Sequence, residues 1–120
     1  MIPRMRTYLC LPGAWMGAWS WQFVVERLRA AGHAARALPF RGVGERAAEL
    51  SPGIDNDVFL ADTIATLEQE NLTEVVLVGH SFGSLIASLV TDRVPERVGH
   101  LVIIDGGIAW TFSCMPADTG

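Results

Sequence analysis

The fold of this chain is decided by the stretch Val75-Val76-Leu77-Val78-Gly79-His80-Ser81-Phe82-Gly83. Its first residues are apolar and mostly β-branched, which is typical of a strand buried on both faces of a parallel sheet. Apolar residues then recur at helical spacing, at Leu85, Ile86, Leu89 and Val90. A buried strand, a glycine-flanked turn and an apolar helix together predict one strand–helix unit of an α/β fold.

The same alternation runs through the rest of the chain. Short apolar runs predict strands near residues 8–11, 34–38, 75–79 and 101–105. Helical spacing predicts helices near 19–31 and 57–70 and after Ser81. Because strands that alternate with helices pair in parallel through right-handed crossovers, the predicted fold class is α/β, a parallel sheet with flanking helices.

Local signals support the two earlier helices. Gly32 is placed to end the first in a left-handed turn, and Asp55 or Asp57 to cap the start of the second. The expected buried stripe of the first helix is Trp21, Val24, Val25, Leu28 and Ala31, and that of the second is Leu60, Ile64 and Leu67.

Composition narrows the class of protein. The 120 residues suit one domain, and a chain that is 50% hydrophobic and 18% charged is either rich in fully buried strands or cut from something larger. The net charge is −4 and the few arginines are scattered, so nothing in the sequence forms the cationic surface that binding to nucleic acid needs, and no nucleic-acid partner is expected. Cys10 and Cys114 are too few for a disulfide framework, and Cys10 is expected to be buried in a strand.

No apolar run is long enough for a membrane span, and no leader with a clear cleavage site is evident. We therefore expect a cytoplasmic protein without a membrane partner.

The residues Gly79-His80-Ser81-Phe82-Gly83 match the pattern Gly-x-Ser-x-Gly, here called the elbow. In the context of strand, turn and helix, this pattern holds a serine hydroxyl above the sheet as a nucleophile. The structural alternative is that Ser81 is only a polar helix N-cap.

A second motif follows the first strand, Pro12-Gly13-Ala14-Trp15-Met16-Gly17-Ala18-Trp19-Ser20-Trp21. With the elbow, it resembles the α/β-hydrolase superfamily, in particular the branch of plant-type methyl esterases and hydroxynitrile lyases with bacterial esterase relatives. The resemblance implies an oxyanion hole formed by the N–H groups of Phe82 and Ala14. Where that branch has a histidine before the glycine, this chain has Pro12. Trp15, Trp19 and Trp21 are expected to pack a helix on the sheet, with an acyl pocket as the alternative role.

A further motif is rejected. Gly42-Val43-Gly44-Glu45-Arg46-Ala47 fits the dinucleotide fingerprint, and Asp62 lies where a ribose-binding acid belongs. Ser51-Pro52-Gly53 would break the helix that this fingerprint must open, so a surface loop is predicted. Neither a metal nor an organic cofactor is implied.

The remaining members of a catalytic triad are not evident. A serine needs a base, and in this fold an acid and then a histidine follow it in the chain. His33 and His80 precede Ser81, and His100 begins the fourth strand, so none is expected to be the base. Asp105 is a candidate acid at the end of that strand, although a structural role is the commoner one.

The resemblance implies the strand order second, first, third, fourth, which leaves the fourth strand as a free edge. A free apolar edge invites pairing, so the chain is interpreted as truncated, with self-association or a complementing chain as its partner. The leading function hypothesis is a serine esterase acting on a small-molecule ester. The alternatives are a hydroxynitrile-lyase-like enzyme and a non-catalytic binding or assembly fragment.

Overall fold

The structure, a computed structural model, describes residues 5–106. Its centre is a sheet of four parallel strands, β1 (Thr7–Leu11), β2 (Ala34–Ala37), β3 (Val75–His80) and β4 (Val98–Ile104). The strands lie in the order β2-β1-β3-β4. This arrangement confirms the predicted α/β class and the strand order that the family resemblance implied.

Helices cover both faces of the sheet. A 3₁₀ turn (Ala18–Trp21) leads into α1 (Gln22–Ala30), and α2 (Asn56–Gln69) and α3 (Phe82–Arg93) follow. The sequence predicted a single helix from Trp19 to Ala31. In the structure, the first part of this stretch is the 3₁₀ turn, and α1 begins only at Gln22.

Alternate residues of the central strands enter two separate cores, as the two-residue period of a strand requires. On one face, Leu9, Leu11 and Leu77 pack with buried residues of α2 and α3. On the other face, the core members are Cys10, Trp21, Val25, Ala35, Val76 and Val78. Burial raises the pKa of the Cys10 thiol to about 12, so this cysteine is an inert core residue, as expected.

The predicted helix ends are confirmed. Gly32 has φ +95°, the left-handed conformation expected after α1. The side chain of Asp55 accepts a 3.1 Å hydrogen bond from the N–H of Val58 and so caps α2. The predicted stripe of α1 was partly wrong, because Val24 and Ala31 are exposed.

Strand β4 differs from its prediction. It begins at Val98, earlier than the predicted start near residue 101, because pairing with β3 extends through an irregularity beside Val75 and Val76. Among the described residues β4 pairs only with β3, and Val102 and Ile104 are exposed on this edge.

Replacing Leu77 by alanine tests the assignment of the core. Leu77 is fully buried at the centre of the sheet, so we expect Leu77→Ala to lower the free energy of unfolding by about 2–5 kcal/mol. Leu50 is 65% exposed, and Leu50→Ala is expected to change the free energy of unfolding by less than about 0.5 kcal/mol. Urea denaturation of both variants checks this, and equal losses would contradict the assignment.

Candidate active site

The turn between β3 and α3 holds Ser81 in an unusual backbone conformation. Its φ and ψ are 54° and −118°, a region that residues other than glycine rarely occupy. Ser81 stands at the N-cap position of α3, yet its side chain makes no capping hydrogen bond. The residue is exposed, and its N–H donates a 3.1 Å hydrogen bond to the carbonyl oxygen of Ile104. Ser81 therefore presents a hydroxyl that is not used as a helix cap.

The glycines of the elbow are required by close backbone contacts. A Cβ added to Gly79 would lie 2.6 Å from the Cα of Ser84, and one added to Gly83 would lie 2.6 Å from the carbonyl oxygen of Pro12. Real Cβ atoms do not approach so closely, so only glycine fits at both positions. The helix can thus start directly against the end of β1.

The loop after β1 lies beside the elbow. A Cβ added to Gly13 would be 3.4 Å from the Cβ of Ser81 and 3.3 Å from Nδ1 of His80. His80 itself is half-buried at the end of β3. The structure thus brings the two predicted motifs together.

Within residues 5–106, the backbone N–H groups of Ala14 and Phe82 have no hydrogen-bond partner, and neither do those of the next residues, Trp15 and Gly83. Phe82 is the first residue of α3, where the helix dipole favours negative charge. Ala14 is exposed in the loop after β1, and both residues line one cavity. The N–H groups of Ala14 and Phe82 therefore belong to residues that line one cavity, and neither is used within residues 5–106.

Asp105 lies just past the end of β4, is exposed and has φ +46°. Its neighbours on both sides contact the elbow. Ile104 accepts the hydrogen bond from Ser81, and a Cβ added to Gly106 would lie 2.6 Å from the carbonyl oxygen of Ser81. The structure places Asp105 next to the elbow, at the carboxyl end of β4 as predicted.

All three histidines of the sequence lie within residues 5–106, and none of them forms a hydrogen bond with the serine hydroxyl there. Nδ1 of His33 accepts a 3.0 Å hydrogen bond from the N–H of Arg6, and its ring packs edge-on against Tyr8. His100 lines a polar hollow with Arg6 at the opposite end of the sheet. Within residues 5–106, no side chain forms a hydrogen bond with Oγ of Ser81.

An apolar cavity of about 190 Å³ opens beside the two N–H groups. Three stacked or edge-on aromatic rings form its wall, with centroid separations of 4.8–6.3 Å. Its lining residues are Gly13, Ala14, Trp15, Phe40, Val43, Phe59 and Phe82. The cavity suits an uncharged group of modest size.

The three tryptophans of the second motif lie in three different environments. Trp21 is buried in the core on the α1 face, as predicted. Trp15 and Trp19 are 81% and 57% exposed, so the packing role was wrong for both. Trp15 lines the apolar cavity instead.

Several residues of the site escaped the sequence analysis. Phe40 and Phe59 lie far from the elbow in the chain, and only the position of Phe40 just after β2 signalled proximity to the carboxyl edge of the sheet. Glu45 was also missed. Its carboxylate accepts hydrogen bonds of 2.8 and 2.9 Å from the N–H groups of Ala18 and Trp19.

The pKa of Glu45 lies below its usual value. Partial desolvation works to raise it, but hydrogen bonds from its own N–H and from those of Ala18 and Trp19 together lower it. Glu45 is therefore ionised at neutral pH.

The described residues contain no group of three histidine, cysteine, aspartate or glutamate side chains that could hold a metal ion. The segment Gly44–Glu49 forms a kinked 3₁₀ turn, so the dinucleotide fingerprint lacks the α-helix that it must open. Asp62, the candidate ribose-binding acid, is instead paired with Arg41.

Among residues 5–106, none of the helices combines the length and the apolar character that a membrane span needs.

Comparison with known proteins identifies the family. The sequence profile described as the alpha/beta hydrolase family matches residues 8–119. This chain belongs to that family. The fold is therefore that of an alpha/beta hydrolase, which confirms the resemblance drawn from the two motifs.

Relatives include bacterial and plant esterases. The chain is 33% identical over 101 residues to a carbendazim hydrolyzing esterase of Nocardioides sp., covering 84% of this chain and 42% of that protein. It is 35% identical over 113 residues to a probable esterase of rice (Oryza sativa), and the match covers 92% of this chain and 40% of the rice protein. The structure of an extracellular alpha/beta-hydrolase from a Paenibacillus species superimposes with a TM-score of 0.77 at 26% identity. The superposition covers 84% of this chain and 40% of the Paenibacillus chain. The chain thus spans well under half the length of these relatives.

The close fit of Gly83 gives a test of the elbow. We expect Gly83→Ala to lower the free energy of unfolding by about 1–3 kcal/mol or more, because the added methyl group meets backbone oxygens that cannot move aside. Gly53→Ala is the matched control, since a Cβ there meets no atom within 4 Å. Thermal unfolding compares the two, and an unaffected Gly83→Ala would show that the elbow is looser than described.

Proposed function

We propose that this chain carries the nucleophile and the oxyanion-stabilising groups of a carboxylic ester hydrolase. Oγ of Ser81 attacks the carbonyl carbon of a small ester, and its proton passes through a base to the departing alkoxide as an acyl-serine forms. Water then releases the acid. The observation that carries the proposal is the exposed Ser81 hydroxyl, which does not cap the helix that it precedes.

The two unpartnered N–H groups support the same reaction. An ester carbonyl oxygen becomes negative when the serine attacks, and N–H groups fixed in advance stabilise that charge best. Phe82 offers one such group at the positive end of α3, and Ala14 offers the other from the adjoining loop. Loss of one donor of this kind slows catalysis by roughly 10²–10³.

The apolar cavity beside these donors receives one arm of the ester. Its wall is aromatic and carries no charged side chain, so an uncharged ester of modest size is the proposed substrate. The esterase names of the relatives support a carboxylic ester as the substrate class. Location in the cytoplasm stays a prediction.

The base comes, in this proposal, from additional sequence or from a second chain. The sequence contains only three histidines; His33 and His100 are engaged or placed at the far end of the sheet, and His80 lies within the elbow. A completing segment would pair with the edge of β4 that is unpaired among residues 5–106, and Asp105 beside it is the candidate acid.

Labelling with a fluorophosphonate probe tests the nucleophile. Attack by Oγ of Ser81 forms a phosphorus–oxygen bond and expels fluoride, while a base takes the proton. Because residues 5–106 provide no such base, imidazole is added in solution. We expect mass spectrometry to find the label on Ser81 and its yield to rise with the imidazole concentration.

Two variants serve as controls. Ser81→Ala should lose this label completely, and Ser88→Ala should keep it, since the Ser88 hydroxyl only donates a 2.8 Å hydrogen bond to the carbonyl oxygen of Ser84. Without imidazole, hydrolysis of a p-nitrophenyl ester should not exceed that of Ser81→Ala. The proposal fails if Ser81 is labelled no faster than other serines at every imidazole concentration, and a binding module would then be the better interpretation.

A further inference from the structure

A carboxylate from a distant loop holds the loop that contains Ala14. Glu45 lies on the 3₁₀ segment Gly44–Glu49, and its two carboxylate oxygens each accept a hydrogen bond from one of the adjacent N–H groups of Ala18 and Trp19. These N–H groups belong to the first residues of the 3₁₀ turn that precedes α1. The N-cap residue of this turn is Gly17, which has no side chain that could accept a hydrogen bond from them. Glu45 thus acts as the missing cap from outside.

Backbone contact reinforces this pair of hydrogen bonds. A Cβ added to Gly44 would lie 2.9 Å from the backbone nitrogen of Gly17, so the two loops touch directly at glycines. Gly44 also has φ +53°, which aims the next residue, Glu45, towards the turn. The contact leaves the loop after β1 little freedom on its helical side.

The loop that carries Glu45 is itself anchored. Arg41 forms a 2.6 Å ion pair with Asp62 of α2, and Arg46 pairs with Glu49 at 2.6 Å and lies 3.8 Å from Asp62. The side chain of Asp62 is only 18% exposed, so solvent weakens its pairs with Arg41 and Arg46 less than it would on an open surface. The segment that carries Glu45 is therefore tied to α2 through Arg41 and Arg46.

Ala14 lies between two fixed points. On its strand side, Gly13 adjoins the elbow, and the carbonyl oxygen of Gly13 accepts a 3.1 Å hydrogen bond from the N–H of Met16. On its helix side, Glu45 fixes Ala18. Pro12 is fully buried and has neither an N–H nor a polar side chain with which to hold the loop. Ala14 thus lies in the turn closed by Gly13 and Met16, four residues before the first N–H group that Glu45 holds.

We propose that Glu45 is a positioning residue that sets the Ala14 N–H for oxyanion stabilisation. The inference rests on the proposed function of Ser81, Ala14 and Phe82. Glu45 does not touch the substrate. Its carboxylate holds the start of the 3₁₀ turn, and through that turn it fixes the direction of the Ala14 N–H beside the elbow.

The rate of Ser81 labelling separates positioning from mere stabilisation. In Glu45→Gln one oxygen remains as an acceptor, but the amide NH₂ group faces the other N–H. We expect the maximal labelling rate, with imidazole at constant concentration, to fall by about 10- to 100-fold, because a donor displaced by about 1 Å loses that much. Probe affinity should change little, since the cavity walls remain.

Glu49→Gln is the matched control. Glu49 lies on the same 3₁₀ segment and pairs with Arg46, but it does not contact the loop after β1. We expect the Ser81 labelling rate of Glu49→Gln to stay within about twofold of that of the unsubstituted chain. The melting temperatures of Glu49→Gln and Glu45→Gln should be similar. Equal labelling rates for the two variants would overturn the proposal.

Amide signals in a two-dimensional NMR spectrum test the same proposal without any reaction. In Glu45→Gln the Ala18 and Trp19 amides should exchange faster with solvent, and the Ala14 amide signal should shift. An unmoved Ala14 signal would overturn the positioning role even if Ala18 and Trp19 respond. If the unsubstituted chain is not labelled at Ser81, the proposed function fails, and the Ala14 signal alone decides whether Glu45 positions this group.

Discussion

Close contact between the end of β1 and the start of α3 is the constraint on which the site depends. Gly83 packs against the carbonyl oxygens of Leu11 and Pro12, and Gly79 packs against the first turn of α3. The turn has room only for an outward-pointing residue between them, and Ser81 occupies it at φ 54°. Such a conformation costs of order 1–3 kcal/mol, which the hydrogen bond to Ile104 and the buried core of β3 help to offset.

Features determined by neighbouring residues were predictable from the sequence. The buried strand β3, the glycine spacing of the elbow, the left-handed Gly32 and the Asp55 cap each depend on a few consecutive residues. Fold class followed from the alternation of such segments. The aromatic cavity and the hydrogen bonds of Glu45 were not predictable in this way, because they join residues that lie far apart in the chain and follow no shared period.

The differences at β4 have a similar cause. Its first residues, Val98, Gly99 and His100, carry no apolar run, and their strand conformation comes from pairing with β3. The exposure of Trp15 and Trp19 also comes from tertiary structure, since the loop turns outwards between Gly13 and the 3₁₀ turn. At the start of β4 and in the loop with Trp15 and Trp19, the residue types alone predict the wrong environment, because contacts with segments distant in the chain decide which residues pair or become exposed.

The two N–H groups beside Ser81 are held in different ways. That of Phe82 belongs to α3, whose buried face packs against the sheet, so its direction is set by the core itself. That of Ala14 lies on an exposed loop and depends on contacts at the loop's two ends. Substitutions far from the elbow can therefore displace the second donor while leaving the first unchanged. In the proposed site one donor lies on a helix and the other on a loop, and that loop is held by a carboxylate whose own segment is tied to α2 by ion pairs.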